Sequence, residues 1–262
     1  MLWITLIIIL IIVIWGGITN WKFINKNIQY FSNKHTINNV FNKVYVINLD
    51  REPKKLSIIN NQLKKYDIKY SRFKAIDGKN VIDNYDLPEH SWNFENPGAL
   101  GCLLSHREVI KDALLQNYDR ILVLEDDCLF THDFTNHFNT KYNSILEFNP
   151  NWKLLYFGCS HQFGWPNEIE YHENFYLPKE GYATFAIGID KTIMKDILKF
   201  SDDFQNPIDD IFVNHFQKNN SCLAFYPHII QQNISFISNI TEISQNLEEY
   251  LEENKVKLKD FL

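Results

Sequence analysis

The chain opens on an apolar block and then changes character. From Met1 to Ile18 no residue is charged, and Thr5 is the only polar side chain. As a helix rising 1.5 Å per residue, this stretch would measure roughly 27 Å, close to the thickness of a bilayer's hydrocarbon layer. Trp3, Trp15 and Trp21 lie near its ends, where indoles favour the membrane interface. The pattern predicts a single-pass N-terminal membrane anchor over 1–18, and with it a membrane localisation. A cleaved signal peptide fits less well, because no basic leader or small-residue cleavage site is evident. The side of the membrane stays open. Lys22 and Lys26 favour a cytoplasmic body, whereas the sequons at Asn219, Asn233 and Asn239 matter only for a luminal one. Residues 19–42 are polar and Asn-rich without periodicity, which reads as a tether.

From Lys43 onward the pattern switches between periods. Val44 to Leu49 is a short, β-branched apolar run, the mark of a buried parallel strand. Leu56, Ile59, Leu63 and Tyr66 follow helical spacing behind Pro53. Further strands are expected at 70–76, 121–124, 154–157 and 183–189. Helices are expected over 101–116 and after Asp190, which can cap the second of them. A last amphipathic helix is expected over 243–262. Strands separated by helices predict an α/β fold with a mostly parallel sheet flanked by helices.

Composition narrows the function. Net charge is −6 over 262 residues and no basic run exceeds a pair, so no nucleic-acid partner is expected. The four cysteines, Cys102, Cys128, Cys159 and Cys222, show no metal-type spacing and read as buried thiols. No dinucleotide fingerprint, P-loop or nucleophile elbow occurs.

Ligands of such sheets bind beyond the carboxyl ends of the strands. Three predicted strand ends carry chemistry: Asn48 to Arg51, Asp77-Gly78, and Glu125-Asp126-Asp127. Three adjacent carboxylates repel one another, and a hard divalent cation relieves that, although a solvated turn would too. Arg51 offers a guanidinium to a phosphate, or simply a salt bridge at a helix start. Asp209 or Asp210 could cap the helix that follows Pro207 or act as a general base. Cys102 and His106, four apart, read as a packed helix face rather than a nucleophile and its base. His228 is a weaker metal-ligand candidate.

The ordered segments VYVINLDREPKK (44–55), FKAIDGK (73–79), PGALGCLLSHREV (97–109), LVLEDD (122–127), LLYFG (154–158), GYATFAI (181–187), PIDD (207–210) and YPHIIQQN (226–233) together resemble glycosyltransferase family 25. That family includes lipooligosaccharide and collagen galactosyltransferases. The resemblance spans 43–242 and implies a catalytic domain there, of GT-A type. It implies a UDP-sugar donor, Mn2+ or Mg2+ as cofactor, a glycan or protein-hydroxyl acceptor, and inversion at the anomeric carbon. By position it implies Glu125, Asp126 and Asp127 as the metal and diphosphate motif. Asn48, Arg51 and Asp77 would line the nucleotide, Asp209 would be the catalytic base, and Ser105 and His106 would support the site. His228 and the segment 159–180 depart from the family pattern. The rivals are a catalytically silent sugar-nucleotide- or glycan-binding protein and a metal-dependent phosphoryl-transfer enzyme or hydrolase.

Overall fold

Two-residue alternation in the first strand sets the architecture. Side chains along a strand point to opposite faces in turn. In β1 (Lys43–Asn48), Val44 and Val46 therefore enter one apolar layer while Tyr45 and Ile47 enter the other, and all four are buried. Leu122 with Leu124, and Ile121 with Val123, divide in the same way in β3 (Arg120–Glu125). A sheet buried on both faces needs helices on both, and helices cover each face. The computed structural model describes residues 34–87, 89, 91–161, 169–233 and 235–236.

The remaining strands are β2 (Ser71–Lys74), β4 (Cys128–Phe130), β5 (Leu154–Tyr156), β6 (Phe175–Tyr176), β7 (Ala186–Asp190), β8 (Cys222–Phe225) and β9 (Ile230–Gln232). Seven of them form one sheet in the order β2-β1-β3-β7-β5-β8-β6, and β4 pairs with β9 in a separate ribbon. β1 runs parallel to β2 and β3, and β5 runs parallel to β8. β7 is antiparallel to both of its neighbours and β6 is antiparallel to β8. The sheet is thus mostly parallel, but its middle is crossed by one reversed strand that the alternation of elements did not signal.

On one face lie α1 (Pro53–Lys65), through Ile59 and Leu63, and α3 (Phe134–Phe148), through Phe134, Phe138 and Ile145. On the other lie α2 (Pro97–Leu115), α4 (Lys191–Phe200) and α5 (Ile208–His215). Ile110, Ala113, Met194, Ile197 and Phe212 form that layer. Local chemistry fixes where these helices start. Pro53 and Pro97 occupy first-turn positions, where a missing N–H costs nothing. Asn96 and Asp190 cap α2 and α4 by accepting from the amides of Ala99 and Thr192. Ile37 and Phe41, within the stretch read as a tether, are buried in the first layer.

The expected membrane localisation is corrected. No described helix is long and apolar enough to cross a membrane. The 19-residue α2 carries Arg107, Glu108, Lys111 and Asp112, whose charges exclude it from hydrocarbon. The stretch 1–18 on which the anchor rested, like the terminal helix expected over 243–262, lies outside the described residues.

Candidate active site

Because β1, β2 and β3 are parallel neighbours, their carboxyl ends meet at one edge of the sheet. Asn48 ends β1 and is buried there. Arg72 Nε donates to its Oδ1 at 2.8 Å, so its amide nitrogen must face the other way, where it donates to Asp126 Oδ2 at 2.6 Å. Arg72 also pairs with Asp50 at 2.6 Å. One asparagine thereby ties the end of β1 to the acidic turn that follows β3.

The three carboxylates of that turn point to different partners. Glu125 Oε1 accepts from the Thr184 hydroxyl at 3.0 Å. Asp127 Oδ2 accepts from Gln232 Nε2 at 3.0 Å, and the Asp127 carbonyl accepts from the Asn233 amide at 2.7 Å. Gln232 is delivered by β9, whose register on β4 sets it opposite Cys128. Burial, and then the charge of Asp127, pushes Glu125 up to about 8. Burial pushes Asp126 up to about 6 against the pull of Asn48 and Lys55, and it also raises Asp127. The turn is short of positive charge.

Asp127 Oδ1 is buried and finds no hydrogen-bond partner on another residue. Such an orphaned carboxylate oxygen, among carboxyls that resist ionisation, suits a hard cation. Among the described residues no three His, Cys, Asp or Glu side chains form a set that could hold a metal by themselves. An ion held here would have to draw most of its oxygens from a bound ligand such as a phosphate.

Asp209 lies in the first turn of α5. Its Oδ2 accepts from the Ala183 amide at 3.2 Å and its Oδ1 from the Asp210 amide at 3.1 Å. Ala183 holds that amide in place with φ at 69°, a left-handed conformation that costs a residue with a Cβ. Burial raises the Asp209 carboxyl, while the amides work in the opposite direction. Asp209 adds to the upward push on Glu125, so the helix start and the acidic turn share one field.

Arg51 and Asp77 form an ion pair between the turn after β1 and the segment after β2. Asp77 also caps the short helix Gly78–Val81. This segment lies directly on α2. A Cβ at Gly101 would sit 2.6 Å from the Ile76 carbonyl oxygen and 2.8 Å from the Gly78 nitrogen. Ser105 Oγ accepts from the Ile76 amide at 2.8 Å and donates to the Gly101 carbonyl at 2.7 Å. Ser105 thus pins the loop that presents Asp77. Gly101→Ala is expected to cost about 1–3 kcal/mol in urea unfolding by forcing these backbones apart. His106 is fully buried beside the Cys102 carbonyl, and burial lowers its pKa. The Cys102 thiol is pushed up by burial and by Glu125, which disfavours the thiolate.

Four participants escaped the sequence reading. Arg72, Thr184 and Gln232 look like ordinary strand or loop residues, and no local signal marks them. Lys55 left a faint one, since a lysine on the 55/59/63 stripe of α1 interrupts an otherwise apolar face.

His228 does not join the site. It is buried in a polar knot, 2.9 Å from the Tyr176 hydroxyl through Nε2 and 3.0 Å from Gln231 Nε2 through Nδ1. Burial, helped by His161 and Lys141, pushes it down to about 3 from 6.5. The unfolded chain therefore takes up this proton first, and stability falls as pH drops from 6.5 towards 3. The slope is at most about 1.4 kcal/mol per pH unit. His228→Gln should lack this component, so its stability deficit against wild type should shrink by about 2 kcal/mol between pH 7.5 and pH 5 in urea titrations.

A family model described as "Glycosyltransferase family 25 (LPS biosynthesis protein)" matches residues 41–212. The chain belongs to glycosyltransferase family 25. Curated members similar to it include procollagen galactosyltransferase 2 of Mus musculus, 27% identical over 132 residues, covering 45% of this chain and 21% of that protein. The inactive glycosyltransferase 25 family member 3 of Mus musculus is 25% identical over 130 residues, covering 45% of this chain and 22% of its own length. The procollagen lysyl hydroxylase and glycosyltransferase of Acanthamoeba polyphaga mimivirus is 33% identical over 130 residues, or 42% and 14% of the two chains. The chain thus spans about a fifth of the two mouse relatives. A solved glycosyltransferase involved in glycosylation of the major capsid of PBCV-1 overlaps it loosely, with a TM-score of 0.36 at 12% identity over 66% of this chain and 75% of that one. The family assignment covers the Asn48, Asp77, acidic-turn and Asp209 segments alike. Gln232 lies outside the matched residues.

Proposed function

We propose that this family 25 chain is a metal-assisted, inverting hexosyltransferase with a GT-A type catalytic domain. It would move a hexose, galactose being the first to test, from a UDP-sugar to a hydroxyl of a glycan or glycoprotein. The observation that carries this reading is the buried acidic turn, with its orphaned Asp127 oxygen, joined to Asp209 through the adjacent Ala183 and Thr184, which donate to Asp209 and Glu125. An anionic diphosphate beside these carboxylates needs added positive charge, which a hard divalent ion such as Mn2+ or Mg2+ would supply.

Of the turn Glu125, Asp126 and Asp127, it is Asp127 that would hold the ion, by its unpartnered oxygen, with the other two adding negative charge beside it. When bound, the ion supplies positive charge to the departing diphosphate. Asn48 fixes the Asp126 carboxylate, and Arg51 and Asp77 form the wall of the nucleotide pocket. Asp209, held by two backbone amides, takes the proton of the acceptor hydroxyl as that oxygen attacks the sugar carbon. Attack from the face opposite the leaving group inverts the centre.

The test is UDP release from a panel of UDP-hexoses, with and without manganese and a hydroxyl acceptor. Metal-dependent release from one donor supports the reading, and no release from any donor with any metal overturns it. A catalytically silent sugar-nucleotide binder is the second reading, favoured by relatives that carry "inactive" in their names. It predicts UDP binding by calorimetry without turnover.

A further inference from the structure

Lysine is rarely buried, yet Lys55 is only 5% exposed and stands one helical turn before Ile59 on the inward stripe of α1. The same helix is tied to the strand that follows the acidic turn, because Gln62 donates through Nε2 to the Cys128 carbonyl at 2.8 Å and accepts through Oε1 from the Phe130 amide at 2.9 Å. The charge of Lys55 favours the ionised forms of Asp126 and Asp127. The other basic groups at this edge are engaged by different acids: Arg51 by Asp77, and Arg72 and Lys74 by Asp50. The Phe236 ring lies 5.6 Å from the Lys55 ammonium, brought there by the turn after β9. Lys55 thus sits on the helix packed beside the acidic turn, with the segment after β9 laid against its ammonium.

One lysine cannot neutralise three carboxylates. It can give the site a fixed positive charge next to the place where a phosphate would share an ion with Asp127. A compact ammonium serves as a point charge for phosphate, needing no planar match. We propose that Lys55 is a further donor-binding residue, which contacts the nucleotide's diphosphate and gives this site affinity for it even without metal. The inference rests on the donor reading above and deepens it by dividing diphosphate binding between a resident lysine and an exchangeable cation.

The division is measurable on the full chain, with UDP as the probe in calorimetry. In EDTA, Lys55→Met should bind UDP about tenfold more weakly than wild type, the loss expected for one charge-assisted contact. Lys55→Arg should recover most of that affinity. With saturating manganese the Lys55→Met deficit should shrink, because the ion then carries most of the diphosphate's charge. A purely structural lysine would instead weaken both conditions alike, and thermal melting of each variant tracks the fold. Equal UDP affinity of wild type and Lys55→Met in EDTA overturns the inference and leaves the donor reading standing. Equal deficits with and without manganese overturn it too. Failure of wild type to bind UDP under either condition removes both.

Discussion

Replacing Asp209 with alanine is expected to lower sugar transfer by about 10²–10⁴-fold, the usual contribution of a positioned general base. UDP affinity should stay within about twofold, because the role proposed for Asp209 is on the acceptor hydroxyl, whereas Asn48, Arg51 and Asp77 are the residues proposed to line the nucleotide. Burial makes its carboxylate a stronger base than a solvated one, and the Ala183 and Asp210 amides keep both oxygens directed. Asp209→Asn should fail as completely as Asp209→Ala, since an amide keeps the shape but accepts no proton. Steady-state transfer and UDP calorimetry on the same preparations check this. Unaltered transfer by either variant removes Asp209 from the chemistry.

Asp127→Asn carries the second large effect. Manganese-dependent UDP binding should drop by about 100-fold or more if Asp127 is the ligand proposed above, since losing a direct ligand exceeds the usual cost of losing its support. The same variant should be more stable than wild type without metal. Asp127 is raised by burial and its charge helps hold Glu125 up at about 8, so the ionised turn weighs against the fold. The direction comes from proton linkage. Glu125 binds its proton more tightly folded than unfolded, so metal-free stability should decline as pH rises from 4.5 through about 8. Manganese should reverse the decline by favouring the ionised carboxylates. Melting curves at pH 6 and pH 8, with manganese or EDTA, should show the larger metal-induced rise at pH 8 in wild type and little rise at either pH in Asp127→Asn. A metal-induced rise in the variant as large as in wild type would remove Asp127 as a ligand.

Much of the candidate site was legible in the chain alone. The turn of three carboxylates after an apolar run, Asn48 and Arg51 after another, and Asp77-Gly78 all fall at strand ends, where sheets of this class bind ligands. Asp209 was legible mainly through resemblance, because an aspartate after Pro207 fits a helix cap equally well. The supporting residues were hidden for a physical reason. Thr184 reaches Glu125 across 59 positions of sequence and Gln232 reaches Asp127 across 105, and no periodicity encodes such meetings. The apolar block at 1–18 taught a different lesson, since hydropathy proposed a membrane partner that no described helix supports.

The order of residues set the periods, the helix starts and the positions bearing charge. Alternation in β1 and β3 committed the sheet to two buried faces, while Pro53, Asn96 and Asp190 stated where helices begin. Folding settled what those residues became. Reversal of β7 and its pairing with β3 place Thr184 against Glu125, and the β4–β9 ribbon brings Gln232 to Asp127. Burial then converts three ordinary acids into a turn starved of positive charge, with Lys55 folded in beside it. Charge is written in the chain, but the dielectric around it and the distance to the next charge exist only once the chain has folded.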